Sequence, residues 1–315
     1  MATVFGTEQP LSLLVICGPT ASGKTALALQ LAEHFPVEIV SADSRQVYRQ
    51  MDIGTAKATV EERARVPHHL VDVVDPDQDF TAADFVQLGR TALEEITARN
   101  HLPLVAGGTG LYIEALLRGL VDAPGADPAL RQELARWEEQ HGPDSLHRRL
   151  QTVDPVMAAR LAPRDRVRIV RALEVFYQCG QPLSELQSRH AKVRSPFRVI
   201  TIGLAPQREL LYERIDRRVE VMMAAGLLAE TELLLARGYS ADLKALQTIG
   251  YRECVNHLTG QMSLEEAVSL IQRNTRRYAK RQMTWFKRNN QIIWLDSLRE
   301  FAKVLKLIDH FTMSQ

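Results

Sequence analysis

The stretch SLLVICGPTASGKT, residues 12–25, places an apolar run before a glycine-containing loop that ends in a lysine and a hydroxyl residue. The helical pattern ALALQLAEHF follows at residues 26–35. A strand, such a loop and a helix form a cradle for phosphates, because the loop amides and the helix N-terminus attract anions. The predicted phosphate-binding residues are Gly18, Pro19, Thr20, Ala21, Ser22, Gly23, Lys24 and Thr25.

Individual residues of this loop have separate predicted roles. Gly18 and Gly23 permit backbone angles that point successive N–H groups inward. Lys24 supplies a mobile positive charge, and Thr25 supplies a hydroxyl for Mg²⁺. A chance glycine-rich turn is the alternative, which the strand and helix in register disfavour. The loop leaves open whether its ligand is a nucleotide that donates a phosphate or a compound that leaves its phosphates behind.

The remaining pattern predicts an α/β fold. Short apolar runs alternate with helical patterns, which is typical of a parallel sheet with crossover helices. We expect strands at residues 11–17, 37–41, 69–74, 102–106, 197–206 and 292–296. Thr81 begins a capping-box pattern that predicts a helix to about Arg99, and a second long helix is expected from Arg208 to Ala225.

The middle of the chain differs from its flanks. Residues 121–196 contain amphipathic segments interrupted by prolines and no convincing strand, which predicts an all-helical insertion domain. We therefore expect a P-loop NTPase-like parallel sheet flanked by helices, built from residues 1–120 and 197–315.

Composition restricts the class of protein. The 315 residues include 39 basic and 38 acidic side chains, for a net charge of +1, so any nucleic-acid surface must be local. The three cysteines have no metal or disulfide spacing, which indicates a reducing compartment. The N-terminal MATVFGTEQP lacks a basic region, and the apolar run after it is too short to span a membrane. We expect a cytoplasmic protein with no membrane segment.

Two further predicted strands end in residues suited to chemistry. SADSRQVY puts Asp43 at the carboxyl end of its strand, where open α/β sheets bind ligands, although Asp43 or Ser44 would also suit a helix N-cap. AGGTGLY follows the strand at 102–106 and contains no metal-holding carboxylate. Its glycines allow close backbone approach, and Thr109 offers a hydroxyl to an amine or a ring edge.

Basic residues concentrate in two segments. Residues 263–290 hold seven basic and two acidic side chains, which give +5, and Arg273, Arg277 and Arg281 repeat every four residues. The insertion has a second basic cluster at 164–171. These stripes suggest a polyanionic partner, while a solvated helix face is the alternative. The helix from Arg208 carries Arg214, Arg217 and Arg218, one of which could reach back over the phosphates, while solvated surface positions are the alternative.

The chain resembles the tRNA dimethylallyltransferase family, also called tRNA isopentenyltransferase. The motifs that carry the resemblance span nearly the whole chain in order: GPTASGKT, SADSRQVY, PHHLVDVVDP (67–76), AGGTGLY (106–112), RIVRALEV (168–175), IGYRE (249–253) and TRRYAKRQMTWFKR (275–288). It implies transfer of a dimethylallyl group from dimethylallyl diphosphate to N6 of the adenosine 3′ of the anticodon. The loop would then hold a prenyl diphosphate, with Mg²⁺ on Thr25.

The resemblance also implies residue roles. Asp43 corresponds to the catalytic aspartate, Thr109 to its partner at the adenine, and Arg218 to a diphosphate-binding arginine, with Lys24 beside it. The implied tRNA-binding positions are Asp43, Ser44, Arg45, Gln46, Thr109, Arg131, Val167, Arg168, Ile169, Val170 and Arg171, and the basic stripe adds Arg277 and Arg281. The family often has glutamine where this chain has Val167. We expect a monomer that grips the anticodon stem-loop.

Three rival functions share some of these features. An enzyme that prenylates free adenine nucleotides would share the loop and Asp43, but it would not need the insertion or the basic helix. A P-loop small-molecule kinase would consume ATP. A non-catalytic RNA-binding module would leave the pairing of a phosphate loop with Asp43 unexplained.

Overall fold

The computed structural model describes residues 10–296 and 300–313, which form two compact units. The first unit combines the described residues up to 117 and from 196 onward, and the second comprises residues 118–195. The ends of the core that we predicted from the sequence, residues 1–9 and 314–315, lie outside the described residues, as do residues 297–299. None of the helices in the described ranges has the length and apolar character needed to cross a bilayer.

The first unit is built on a parallel sheet. Its strands are β1 (Ser12–Cys17), β2 (Val37–Ser41), β3 (His68–His69), β4 (Leu102–Gly107), β5 (Arg198–Leu204) and β6 (Ile293–Leu295). They lie in the order β3-β2-β4-β1-β5-β6, and each neighbouring pair is parallel. The predicted parallel sheet is confirmed. Because β1 lies between β4 and β5, the glycine-containing loop leaves the middle of the sheet.

Fourteen helices lie within the described residues. They are α1 (Lys24–Ala32), α2 (Val60–Arg65), α3 (Ala82–Ala98), α4 (Gly110–Arg118), α5 (Pro128–His141), α6 (Ser145–Val153), α7 (Pro155–Arg160), α8 (Arg166–Cys179), α9 (Leu183–His190), α10 (Arg208–Ala224), α11 (Leu227–Ala236), α12 (Tyr251–Leu258), α13 (Leu264–Phe286) and α14 (Phe301–Met313). The predicted capping box at Thr81 is present at the start of α3.

Two hydrophobic clusters cover the two faces of the sheet. Side chains alternate along β1, so that Leu13 and Val15 face one cluster and Leu14 faces the other. The first cluster includes residues of α3 and α4, and the second includes residues of α1 and α14. A third cluster joins the segment after β2 to α10, α11, α12 and α13. These helices therefore pack beside the end of β2 where Asp43 lies.

The prediction of a strand at 69–74 is wrong beyond His69. Leu70 and Asp72 have positive φ angles of 62° and 57°, which no strand accommodates. The Asp72 carboxylate accepts hydrogen bonds from Lys57 at 2.6 Å and Arg63 at 2.7 Å, and these contacts anchor the turn. The apolar residues after it pair with the segment around Val47 instead of extending the sheet.

The second unit is all-helical over its described residues. Helices α5 to α9 surround their own hydrophobic cluster, which includes Leu134, Leu150 and Leu173. Two acidic side chains, Asp154 and Glu174, are buried in this unit, and Glu174 makes ion pairs with arginines. These ion pairs tie α5 to α8, as described below.

Candidate active site

The glycine-containing loop between β1 and α1 has the backbone geometry that its glycines predict. Gly18 and Gly23 adopt φ angles of 144° and 100°, in the region that favours glycine. A Cβ on Gly18 would also lie 2.6 Å from the Leu204 carbonyl oxygen, so a side chain has no room there. Helix α1 begins at Lys24 and directs its N-terminus at the loop. Backbone amides and the helix dipole therefore favour an anion at this place.

Lys24 is the cationic side chain of the loop. Its Nζ donates a hydrogen bond of 2.7 Å to the Pro19 carbonyl oxygen. Burial lowers the pKa of Lys24 to about 8, the Asp43 carboxylate acts against this shift, and the positive charge of Arg218 adds to it. An anionic ligand would stabilise the ammonium form.

Arg218 is the arginine of α10 that reaches the loop. Its Nη1 donates to the Thr20 hydroxyl at 3.3 Å, and burial lowers the pKa of its guanidinium group. Arg214 and Arg217 are exposed. Of the three arginines considered from the sequence, Arg218 is therefore the one that the structure places beside Lys24.

Asp43 follows β2 and does not cap a helix, because residues 44–47 form turns. Its Oδ1 accepts the Arg45 backbone N–H at 2.9 Å, which orients the carboxylate. The next amide, that of Ser44, donates to the Thr109 hydroxyl at 3.0 Å. The structure thus brings Asp43 and Thr109 together through Ser44, at the carboxyl ends of β2 and β4.

The glycines at the end of β4 and directly after it lie where a side chain would have little room. A Cβ on Gly107 would lie 2.1 Å from the Ala42 carbonyl oxygen, and a Cβ on Gly108 would lie 2.2 Å from the Gln282 Nε2. The Thr109 N–H donates to the same Ala42 oxygen at 3.1 Å. These contacts bring the ends of β2 and β4 side by side and fix the position of Thr109.

Several of these groups line one cavity of about 410 Å³, whereas Thr109 is not among its lining residues. Lys24, Asp43 and Arg218 all line it, together with Thr20, Thr25 and the segment 44–46. Its apolar wall is formed by side chains from α10, the segment before α12, and α13: Ile215, Val219, Met222, Ile249 and Ile271. The cavity therefore offers cations and a carboxylate beside a surface that suits a hydrocarbon.

Two residues of α13 that line the cavity were missed as site residues in the sequence analysis. Tyr278 and Gln282 belong to the motif TRRYAKRQMTWFKR, in which we interpreted Tyr278 as an aromatic residue interleaved with the basic stripe and assigned no role to Gln282. Burial raises the pKa of Tyr278 to about 12, and the nearby Asp43 charge adds to the shift. Their four-residue spacing puts them on one face of the helix, next to Ile271 and Thr275, and this periodicity was the available signal.

The predicted RNA-contacting residues after β2 are partly engaged within the protein. The Gln46 amide accepts from the Ser41 hydroxyl at 2.8 Å and donates to the carbonyl oxygens of Thr55 and Ala56. Arg45 Nη1 donates to the Lys244 carbonyl oxygen at 3.3 Å. The segment is therefore held in a fixed shape at the edge of the cavity.

In the second unit, Arg131 and Arg171 both bind the buried Glu174. Arg131 makes two hydrogen bonds to its carboxylate, of 2.8 and 3.1 Å, and Arg171 makes one of 2.7 Å. Burial raises the pKa of Glu174, but these bonds and the Asp127 N–H outweigh burial and leave it lowered. The arginine side chains remain 47% and 33% exposed, so the pairs hold two surface cations in place.

The other predicted positions of this unit differ in accessibility. Val167 and Arg168 are exposed in the first turn of α8, whereas Val170 is half-buried and Ile169 is buried in the helical core. Arg277 and Arg281, on α13 of the first unit, are exposed. An RNA could therefore reach the side chains of Val167, Arg168, Arg277 and Arg281, but not that of Ile169.

Thr25 is the predicted metal-binding residue, and it lies exposed in the first turn of α1 at the edge of the cavity. Within residues 10–296 and 300–313, no group of three or more histidine, cysteine, aspartate or glutamate side chains is arranged to hold a metal ion. Mg²⁺ usually takes few protein ligands and completes its shell with phosphate oxygens and water. A single hydroxyl beside an anion cradle fits this kind of site.

Comparison with known proteins points to one family. The model of the family described as IPP transferase matches residues 46–289, and that described as isopentenyl transferase matches residues 11–71. The chain is 64% identical over 299 residues to tRNA dimethylallyltransferase 1 of Syntrophotalea carbinolica, with 95% of each chain covered. It is 53% identical over 304 residues to the tRNA dimethylallyltransferase of Geobacter metallireducens, covering 96% of this chain and 98% of the relative.

Comparison with solved structures points to the same family. The tRNA isopentenylpyrophosphate transferase from Bacillus halodurans is similar with a TM-score of 0.70 and 40% identity, over 96% of each chain. A eukaryotic dimethylallyltransferase acting on tRNA is similar with a TM-score of 0.78 and 30% identity, over 90% of this chain and 73% of the other.

Proposed function

This chain belongs to the IPP transferase family, and we propose that it transfers a dimethylallyl group from dimethylallyl diphosphate to N6 of adenosine 37 of tRNA, 3′ of the anticodon. One observation carries the proposal: Lys24, Arg218 and Asp43 line one cavity, so an anionic leaving group and a proton acceptor meet there. In the reaction, the bond from carbon to the diphosphate oxygen breaks and a carbon–nitrogen bond forms. Diphosphate leaves, and the N6 proton passes to the protein.

The leaving-group side is formed by the glycine-containing loop, Lys24 and Arg218. Charge that develops on the diphosphate meets the loop amides, the α1 N-terminus and both cations. The apolar wall of the cavity, which includes Val219 and Met222, would hold the hydrocarbon and keep water away from the allylic carbon. We propose Thr25 as the residue that holds Mg²⁺, which when bound would neutralise diphosphate charge.

The acceptor side is formed by Asp43 and Thr109. The exocyclic amine of adenine is a weak nucleophile, because its lone pair is delocalised into the ring. We propose that Asp43 accepts an N6 proton as the nitrogen attacks, and that Thr109 orients the amine. The Arg45 N–H on Oδ1 keeps the carboxylate aimed for this role.

The target base must leave the anticodon loop to reach this cavity. We propose that Ser44, Arg45 and Gln46 contact the RNA at the cavity edge and that Arg277 and Arg281 contact its phosphates. The segment 167–171 and Arg131 would contact the anticodon stem-loop from the second unit. The first turn of α8 presents backbone N–H groups that suit phosphate oxygens, so Val167 can take part without a polar side chain. A monomeric enzyme acting in the cytoplasm, where tRNA is found, remains part of this proposal.

The test is incubation of the purified chain with labelled dimethylallyl diphosphate and unmodified tRNA, followed by nucleoside analysis. We expect label on the N6-prenylated adenosine 3′ of the anticodon. Parallel incubations with AMP and with ATP plus small hydroxyl compounds distinguish the rival functions. Label on AMP in preference to tRNA, or substrate-dependent ATP consumption, would overturn the proposal.

A further inference from the structure

Gln282 lines the cavity and connects two loops that come from distant parts of the chain. Its Oε1 accepts the Thr20 backbone N–H of the glycine-containing loop at 2.8 Å. Its Nε2 donates to the Gly108 carbonyl oxygen, in the turn after β4, at 2.9 Å. Gln282 is 6% exposed, the bond to Gly108 is buried and the bond to Thr20 is partly buried.

Each of these bonds connects Gln282 to residues on one side of the proposed reaction. Thr20 carries the hydroxyl that accepts a hydrogen bond from Arg218 on the leaving-group side. Gly108 is followed by Thr109, whose hydroxyl accepts the Ser44 amide next to Asp43 on the acceptor side. A single side-chain amide therefore lies between the groups that would hold the donor and those that would meet the nitrogen.

The surroundings of Gln282 require an amide. One partner is a donor and the other an acceptor, and a side-chain amide supplies both complementary functions at a fixed spacing. Gly108 leaves room for it, because a Cβ at that position would lie 2.2 Å from Nε2. A carboxylate would accept from Thr20 but repel the Gly108 oxygen, and an apolar side chain would leave both backbone groups unpaired.

We propose that Gln282 is a positioning residue that sets the distance between the diphosphate-binding loop and the acceptor-binding turn; this rests on the proposed function. Bond formation needs the allylic carbon and the nitrogen aligned to within a fraction of an ångström. Each loop keeps its own ligand-binding groups without Gln282, so loss of the side chain acts on alignment more than on binding. A misplacement of about 1 Å costs on the order of 100-fold in rate.

The experiment compares Gln282→Met, Gln282→Glu and a control, Gln272→Met, in the full chain with dimethylallyl diphosphate and tRNA. Gln272 lies on the same helix, and its amide donates to the Asp216 backbone oxygen at 3.4 Å, outside the cavity. We expect Gln282→Met to lower kcat at least about tenfold, with the KM of each substrate changed less than threefold. Gln272→Met should retain the wild-type kcat.

The pH profile of Gln282→Glu supplies a readout that a merely structural residue would not move. Burial against the Gly108 oxygen raises the pKa of a carboxyl group at this place. In its protonated form, that group can donate to Gly108 and still accept from Thr20. The ratio of variant to wild-type kcat should therefore rise as pH falls from 8 to 6. If Gln282→Met fails to fold, this pH dependence tests the positioning role of Gln282.

Three outcomes would overturn the role of Gln282 while wild-type activity is present. They are an unchanged kcat in Gln282→Met, a loss confined to KM, and a kcat ratio for Gln282→Glu that does not vary with pH. Absence of prenyl transfer by the wild-type chain would instead overturn the proposed function.

Discussion

At the scale of single residues, the proposed chemistry depends on a carboxylate and an ammonium group that share a cavity. Asp43 follows β2, and Lys24 opens α1 after the loop that follows β1. Both residues line the cavity because β1 and β2 end at the same edge of a parallel sheet. Burial lowers the pKa of Lys24, and the negative charge of Asp43 opposes this shift. Asp43 is the proposed proton acceptor, and Lys24 is a proposed ligand of the diphosphate.

Replacing Asp43 by alanine removes the proposed proton acceptor. We expect prenyl transfer to fall by about 10²- to 10⁴-fold, since that is the usual contribution of a general base. Binding of tRNA should stay within a few-fold, because most of its affinity comes from phosphate contacts. The measurement is single-turnover transfer and filter binding, with the exposed Asp77→Ala as the control for loss of a negative charge. Full activity in Asp43→Ala would remove Asp43 as the base.

Lys24 should make donor binding depend on pH. Its pKa of about 8 means that the free protein loses this positive charge as pH rises through 8, so the affinity for dimethylallyl diphosphate should fall at higher pH. Loss of one proton can lower this affinity by at most about tenfold per pH unit. Titration calorimetry between pH 7 and 10 measures the effect. Lys24→Arg keeps its charge in this range and corrects for titration of the ligand, so equal pH dependence in both proteins would contradict the prediction.

At the scale of elements, helix α13 contributes more to the site than its basic residues. One face supplies Tyr278 and Gln282 to the cavity, while Arg277 and Arg281 are exposed and Arg281 lies at the cavity edge. The periodicity of the basic residues predicted this helix and its basic stripe. It did not predict that the opposite face lines the cavity, because an apolar or amide side chain at helical spacing is equally typical of an ordinary core. The short β3 is the converse case, where an apolar run predicted a strand that ion pairs at Asp72 interrupt.

Removing Arg277 and Arg281 together should weaken tRNA binding and flatten its salt dependence. Each phosphate contact that is lost lowers the slope of log K against log salt by slightly less than one, so we expect a decrease of about 1 to 2. Binding isotherms at several salt concentrations measure the slope. The control is Lys303→Ala with Lys306→Ala, two exposed cations on α14, which packs on the other face of the sheet. A slope equal to that of the control would mean that the stripe does not touch RNA.

At the scale of the whole molecule, one buried carboxylate ties the sheet to neighbouring segments. Glu38 of β2 has a side chain that is 3% exposed and lies within 2.8 Å of His69, Arg99 and His101. The hydrogen bond from Arg99, opposed by burial and supported by both histidines, lowers the pKa of Glu38 to about 2. His69, part of a motif shared with the family, therefore has a structural contact in this fold.

Glu38 should stabilise the fold in a pH-dependent way. Its folded pKa lies below the ordinary value of 4.5, so the contribution is present above pH 4.5 and is lost as pH falls toward 2. We expect Glu38→Gln to lower the free energy of unfolding by about 3 kcal/mol at pH 7, and by much less at pH 3. Urea unfolding at several pH values measures the difference. Glu33→Gln, which breaks an exposed pair with Arg65, should cost less than about 1 kcal/mol; an equal loss in both variants would argue against the buried network.

The sequence alone determined the glycine-containing loop after β1, the parallel sheet, the helical middle segment and the family. The relatives confirm the family. Each of these features rests on residues close together in the chain or on motifs in a fixed order, so local pattern suffices. Only the tertiary structure decided that Arg218 contacts the Thr20 hydroxyl, that Glu174 holds Arg131 and Arg171, and that Gln282 joins its two loops. The partners of Gln282 lie 262 and 174 residues away in the chain. Periodicity gives the face of a helix on which a residue lies, but the packing of distant elements sets which atoms that face meets.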